Sequence, residues 1–180
     1  MTTLETLLTD PDTSGTWALL PDKSTIGFKI KNMWGVVPVK GKFTEFTGTG
    51  QLTARGAVNG RIDIQVASLR TGIGRRDKHL RSADFFDAER FPTITVAVTA
   101  LHPESGNAAE LTSEFTIKGI TEPVALPVRV TEHDDGSVTI SGRGDIDRTR
   151  FNLHWNKLGV MATTVTVSAE AVFVRSPIGA

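Results

Sequence analysis

The chain has 180 residues, 20 Lys and Arg against 20 Asp and Glu, and no cysteine. That length suits one folding unit with a sizeable core, and zero formal charge gives no global attraction to nucleic acid. The missing cysteines exclude disulfides, thiol nucleophiles and thiolate metal sites.

The opening "MTTLETLLTDPDTSGTW" has no Lys or Arg and only scattered leucines. No secretory signal is expected from it, and a cytoplasmic location is the default reading. No run of about 18 apolar residues occurs, so no membrane span is expected. Leu4, Leu7 and Leu8 stand at helical spacing before Pro11 and predict a short amphipathic helix packed on the body, with partner binding as the lesser alternative. Residues 1–15 are read as an extension to a domain over 16–176, followed by a tail at 177–180.

From Trp17 onward the dominant period is two, as in strands with one wet face. Ile26, Phe28 and Ile30 share a face, as do Ile62, Ile64 and Val66, and then Ile94, Val96 and Val98. Leu111, Phe115 and Ile117 align with Ser113 as an interruption; Val124, Leu126, Val128 and Val130 follow, then Val138 with Ile140, then Val165, Val167, Ala169, Ala171 and Phe173. Asn59-Gly60 and Asp135-Gly136 read as hairpin turns, because the favoured two-residue turn needs positive φ at both positions, and Lys118-Gly119 is a weaker candidate. Pro123 and Pro127 remove ladder donors, so their strand is expected at an edge, at a bulge or outside the central pairing. Repeated short amphipathic strands predict an antiparallel sandwich or barrel.

The exception is "TGIGRRDKHLRSADFFDAERFPTITV". Arg75 to Phe86 loses the period of two and is rich in helix formers, which predicts a short helix with Leu80, Ala83 and Phe86 on one face, placed as a lid. Arg70, Arg75, Arg76, Lys78 and Arg81 face only Asp77 across residues 70–82. An anionic headgroup could be held there, but local ion pairing, as between Arg81 and Asp84, is the preferred explanation. Asp77 and His79 lack a nucleophile motif to complete a catalytic set. The four histidines are scattered singly, without metal-ligand spacing. Phe85, Phe86 and Phe91 read as core plugs, while Trp34 beside Met33 is either a ligand contact or a strand-end anchor. "RTRFNLHWN" mixes bases and aromatics, but one such platform in a neutral chain argues against single-stranded nucleic acid.

The long motif above, with "STIGFKIKNMWGVVPVKGKFTEFTG", "LTSEFTIKGITEPVALPV", "DRTRFNLHWN" and "VTVSAEAVF", resembles the YceI-like family from Trp17 to Val174. These are bacterial lipid-binding proteins similar to lipocalins, several of them associated with polyisoprenoids or long-chain amphiphiles. The resemblance implies a mainly β fold, an antiparallel lipocalin-like β-barrel of about eight strands with a short helical segment near one opening. It implies no catalytic residues and no cofactor. The matching positions Thr71, Gly72, Arg76, Asp77, His79, Leu80, Arg81, Ser82, Phe85, Phe86, Phe91 and Pro92 are read mostly as determinants of the fold. The chain departs from the family at Lys23 and Asn32, where histidine is often found, and at Asn152, where glycine is common. The export signal that many members carry is not seen.

Alternation does not separate a filled barrel from a hollow one. The leading expectation is non-enzymatic binding, transport or sequestration of a long-chain apolar ligand, a polyisoprenoid or similar amphiphilic lipid, in the barrel. Phe28, Ile30, Phe43, Ile62, Ile64, Val96, Phe115, Leu126, Ile140 and Val167 are the expected inward residues, with Trp34, Arg76, His79 and Arg81 at the rim. No metal, cofactor or nucleic-acid partner is expected. The alternative is a filled-barrel protein-interaction or stress-response module, acting through its outer face and N-terminal helix. Exposed strand edges could also pair two copies as a homodimer.

Overall fold

Each alternating run becomes a strand with its apolar side turned inward. A computed structural model describes residues 3–32, 38–156 and 161–176. Its elements are α1 (Leu4–Thr9), β1 (Gly15–Leu19), β2 (Thr25–Asn32), β3 (Val39–Phe43), β4 (Phe46–Leu52), β5 (Val58–Gln65), β6 (Leu69–Arg70), α2 (Gly74–Arg81), β7 (Thr93–Pro103), β8 (Ala108–Ile117), β9 (Ile120–Glu132), β10 (Val138–Asp147) and β11 (Met161–Arg175). Pairing runs β1-β4-β5-β7-β8-β9-β10-β11 and returns from β11 to β1, giving a closed antiparallel barrel of eight strands.

Three strand paths around this ring are bent. β1 resumes as β2 after a 3-10 turn at Pro21–Lys23; β4 pairs with β1 while β3 pairs with β2; β5 pairs with β4 while β6 pairs with β3. β11 therefore bonds β1 near its C-terminal end and β2 over most of its length. Buried serines staple the bends. Ser24 Oγ donates to Leu20 O at 2.7 Å and accepts from Val172 N at 2.9 Å, and Ser68 Oγ donates to Gln65 O at 2.7 Å and accepts from Thr44 N at 3.1 Å. A hydroxyl that both donates and accepts replaces ladder bonds lost at a corner.

Turn chemistry corrects one expectation and bears out two. Asn59 and Gly60 lie inside β5, opposite Gln51 and Gly50. Glycine is needed there for close approach, since a Cβ on Gly60 would meet Thr49 O at 2.9 Å. Lys118-Gly119, the weaker candidate, is the two-residue turn with φ of 52° and 77°, joining Ile117 directly to its partner Ile120. Asp135-Gly136 is a turn, with Gly136 at φ 83° and Ser137 N donating to the Asp135 carboxylate.

β9 is not an edge strand, because it bonds β8 along Ile120–Arg129 and β10 along Val128–Glu132. Its side toward β10 is unpaired over Ile120–Pro127, where both prolines fall, so the ladder stops where donors are missing. Ser113, the interruption in β8, is buried with its hydroxyl donating to Val124 O at 2.8 Å.

α1 sits at one end of the barrel with Leu4, Leu7 and Leu8 buried, and its Leu4 N donates to Gly106 O at 3.3 Å. α2 sits at the other end. It stops at Arg81 and a turn follows, so Ala83 is exposed and does not extend the expected face through Phe86. No helix among the described residues is long and apolar enough to cross a membrane.

Candidate functional site

Strand geometry carries the lining from one end of the barrel to the other. On β5, Val58, Gly60, Ile62 and Ile64 recur at every second residue and all border the interior, a span of about 20 Å at about 3.3 Å per residue. They enclose a cavity of about 260 Å³, near the lower bound of the roughly 300–1,000 Å³ typical of small-ligand sites. Leu4, Leu7 and Leu8 of α1 border it at one end; Leu80 of α2 with Phe85 and Phe86 border it at the other. Phe86 packs edge-on toward Phe28 and Phe43, with centroids 6.4 and 6.3 Å away.

All ten expected inward residues, Phe28, Ile30, Phe43, Ile62, Ile64, Val96, Phe115, Leu126, Ile140 and Val167, border this cavity. Among the described residues the lining contains no Asp, Glu, His or Lys, and its two ionisable members are Arg61 and Arg148. Arg61 is held on the outer face by Asp63 at 3.0 Å.

Arg148 is an interior group that the sequence does not reveal, because "RTRFN" reads as exposed and basic. It is 1% exposed and lies in a 3-10 turn at Arg148–Phe151. Its guanidinium donates to Ala162 O at 2.9 Å, Trp155 O at 3.1 Å and Leu153 O, tying that turn to the start of β11. Burial holds its pKa below the ordinary arginine value, partly opposed by the nearby Asp147. With Arg148 and Phe151 buried, the "RTRFNLHWN" segment forms a structural corner.

The basic segment around α2 is used differently from expectation. Asp77 is buried and accepts from Thr71 N at 2.8 Å and Thr71 Oγ1 at 2.5 Å. Arg76 folds back on the same residue, donating to Thr71 Oγ1 at 2.9 Å and Thr71 O at 3.0 Å. These bonds clamp the chain leading into α2, so Asp77 does not orient His79. His79 pairs instead with Asp84 at 2.8 Å, which displaces the expected Arg81–Asp84 pair. Arg81 Nε is buried with no hydrogen-bond partner among the described residues. His79 also stands edge-on to Phe85 at 5.5 Å and Trp155 at 4.5 Å. Arg76, His79 and Arg81 thus lie beside the α2 end and outside the cavity lining, and Trp34 lies outside the described residues. Among the described residues no group of three potential metal ligands is assembled.

The YceI-like domain profile matches residues 17–173. Protein YceI of Escherichia coli O157:H7 is 29% identical over 112 residues, 61% of this chain and 58% of that protein. A UPF0312 protein of Vibrio vulnificus is 27% identical over 149 residues, 82% of this chain and 78% of its own length. Among solved structures, BcnA of Burkholderia cenocepacia superposes with a TM-score of 0.79 at 28% identity, over 86% of this chain and 98% of that one. A polyisoprenoid binding domain from Saccharophagus degradans, implicated in plant cell wall breakdown, superposes with a TM-score of 0.74 at 16% identity, over 89% and 98% of the two chains. At that identity the second likeness is one of fold. With a profile match over nearly the whole barrel, this chain belongs to the YceI-like family.

Proposed function

We propose that the protein binds and holds a long-chain apolar ligand, a polyisoprenoid or similar amphiphilic lipid, inside the barrel without transforming it. The observation that carries this reading is the apolar cavity running between α1 and α2. Each buried methylene contributes about 0.8 kcal/mol, so a five-carbon prenyl unit contributes about 4 kcal/mol gross. Association costs about 4–15 kcal/mol. A chain of several units therefore binds without any specific polar contact. Among the described residues the lining offers a bound chain neither a carboxylate nor an imidazole, which supports holding over transformation. The fold shared with a polyisoprenoid binding domain agrees with this reading, and open interior space favours it over a filled interaction module.

Organic extraction and mass spectrometry of the purified protein, against a mock-purified control, tests the proposal. A stoichiometric long-chain lipid is expected. A clean blank after exposure to native lipid extract would overturn it.

A further inference from the structure

The outer face of β2, β3 and β6 concentrates positive charge in an arrangement that costs stability. Cross-strand register sets Lys29 directly opposite Lys40, and Lys42 directly opposite Arg70. Like charges at such positions destabilise a sheet. Lys31 extends the row along β2, and Lys31, Lys40, Lys42 and Arg70 are all exposed. None of these five forms an ion pair among the described residues, and no undescribed residue is Asp or Glu. Neighbouring carboxylates lie farther along the sheet. Asp145 is two strands from Lys29 by register and is bonded by Thr166 at 2.7 Å, and Glu170 stands opposite Thr25. A neutral protein has thus gathered on three adjacent strands five cations that make no ion pair among the described residues, Arg70 donating only to the carbonyls of Ala67 and Leu69.

A second feature adjoins this face. Three residues beyond Arg70, Ile73 is 53% exposed, the one large hydrophobic so exposed among the described residues. It sits between Gly72 and Gly74, whose Cβ positions meet nothing within 4 Å, and is followed by exposed Arg75. An apolar tip beside a cationic surface matches a bilayer, which offers hydrocarbon beneath anionic headgroups. It matches nucleic acid less well, because an aliphatic tip has no base to stack on.

We propose that the β2-β3-β6 face and the Ile73 tip dock the protein on an anionic lipid bilayer, bringing the α2 end of the cavity to the membrane surface. The proposal rests on the lipid-holding reading for its purpose, while its evidence lies wholly on the outer surface.

The test is co-sedimentation of the full chain with vesicles of phosphatidylcholine, with and without phosphatidylglycerol, at low and high salt. Binding is expected only to phosphatidylglycerol vesicles and is lost at high salt, where screening is strong. The double substitution Lys40→Gln, Lys42→Gln lowers partitioning roughly tenfold or more, and Ile73→Ser lowers it about threefold or more, with circular dichroism unchanged in both. No vesicle binding, equal binding to neutral vesicles, or indifference to these substitutions would overturn the proposal. So would tighter binding to duplex DNA lost in the same variants, which would assign the face to nucleic acid. Extraction of the same preparations separates the two readings. Ligand without vesicle binding overturns docking alone, whereas vesicle binding without ligand supports docking and overturns the interior site.

Discussion

The imidazole of His79 meets the indole of Trp155 edge to face, with centroids 4.5 Å apart and planes at 87°. This contact joins α2 to the segment that Arg148 anchors, and Phe85 completes the cluster at 5.2 Å from Trp155. Among the described residues the α2 end of the cavity is therefore fastened by aromatic edges, by the His79–Asp84 contact and by the bonds of Asp77 and Arg76 to Thr71. Trp155→Ala is expected to cost about 3 kcal/mol or less, because the ring is only partly buried. It should also speed release of a bound apolar fluorophore. Stopped-flow displacement measures the second effect, and an unchanged release rate would show that α2 does not gate the interior.

Filling the cavity without adding charge separates ligand binding from folding. Ala169 and Val96 border the interior from β11 and β7. Ala169→Phe and Val96→Phe should lower uptake of an apolar fluorophore by roughly tenfold, while thermal stability holds or rises as cavity filling commonly gives about 0.5–2 kcal/mol. Full uptake by a folded variant would remove that residue from the binding surface.

Much of this interior was legible in the sequence because alternation survives in every strand. All ten inward residues named from it border the cavity. The bends at Ser24 and Ser68 were not legible, since they answer the closure of the ring and leave the period of two intact on either side. Gly60 was misread as a turn because the same residue type serves both positive φ and close backbone approach. Motif position places Arg76 and His79 at the rim but does not reveal their partners Thr71 and Asp84, which are set by the turns around α2. Arg148 was hidden because its partners are carbonyls, which carry no residue type.

Acid should act on the corner that holds Arg148. Asp147 accepts from Thr149 N at 2.9 Å and Thr149 Oγ1 at 2.6 Å, and these bonds hold its pKa below the ordinary 3.8. A depressed carboxylate contributes stability in full above its unfolded pKa and loses it as pH falls through the folded value. Urea midpoints should therefore fall more in the wild type than in Asp147→Asn between about pH 5 and about pH 2. Equal losses would show that this cap carries no pH-dependent stability.

The lysine pairs on the outer sheet make an opposite prediction about stability. Lys42→Thr removes the repulsion across from Arg70 and places a β-branched residue on a strand. It is expected to stabilise the fold by a few tenths of a kcal/mol, up to about 1 kcal/mol. Chemical denaturation measures this, and a loss of stability would mean that Lys42 has a structural partner.

β11 bonds β10 on one side and both β1 and β2 on the other, and its Val172 N reaches Ser24 Oγ across 148 residues of sequence. Arg175 Nε closes a longer loop still, donating to Ser14 O at 2.8 Å. Contacts of such long range form late and slowly. During synthesis the first strands must wait for the last one, and until residue 175 has left the ribosome their apolar faces have no enclosed space between them. The space is enclosed only when β11 has paired on both sides, so walling the interior and joining the two ends of the chain are a single event.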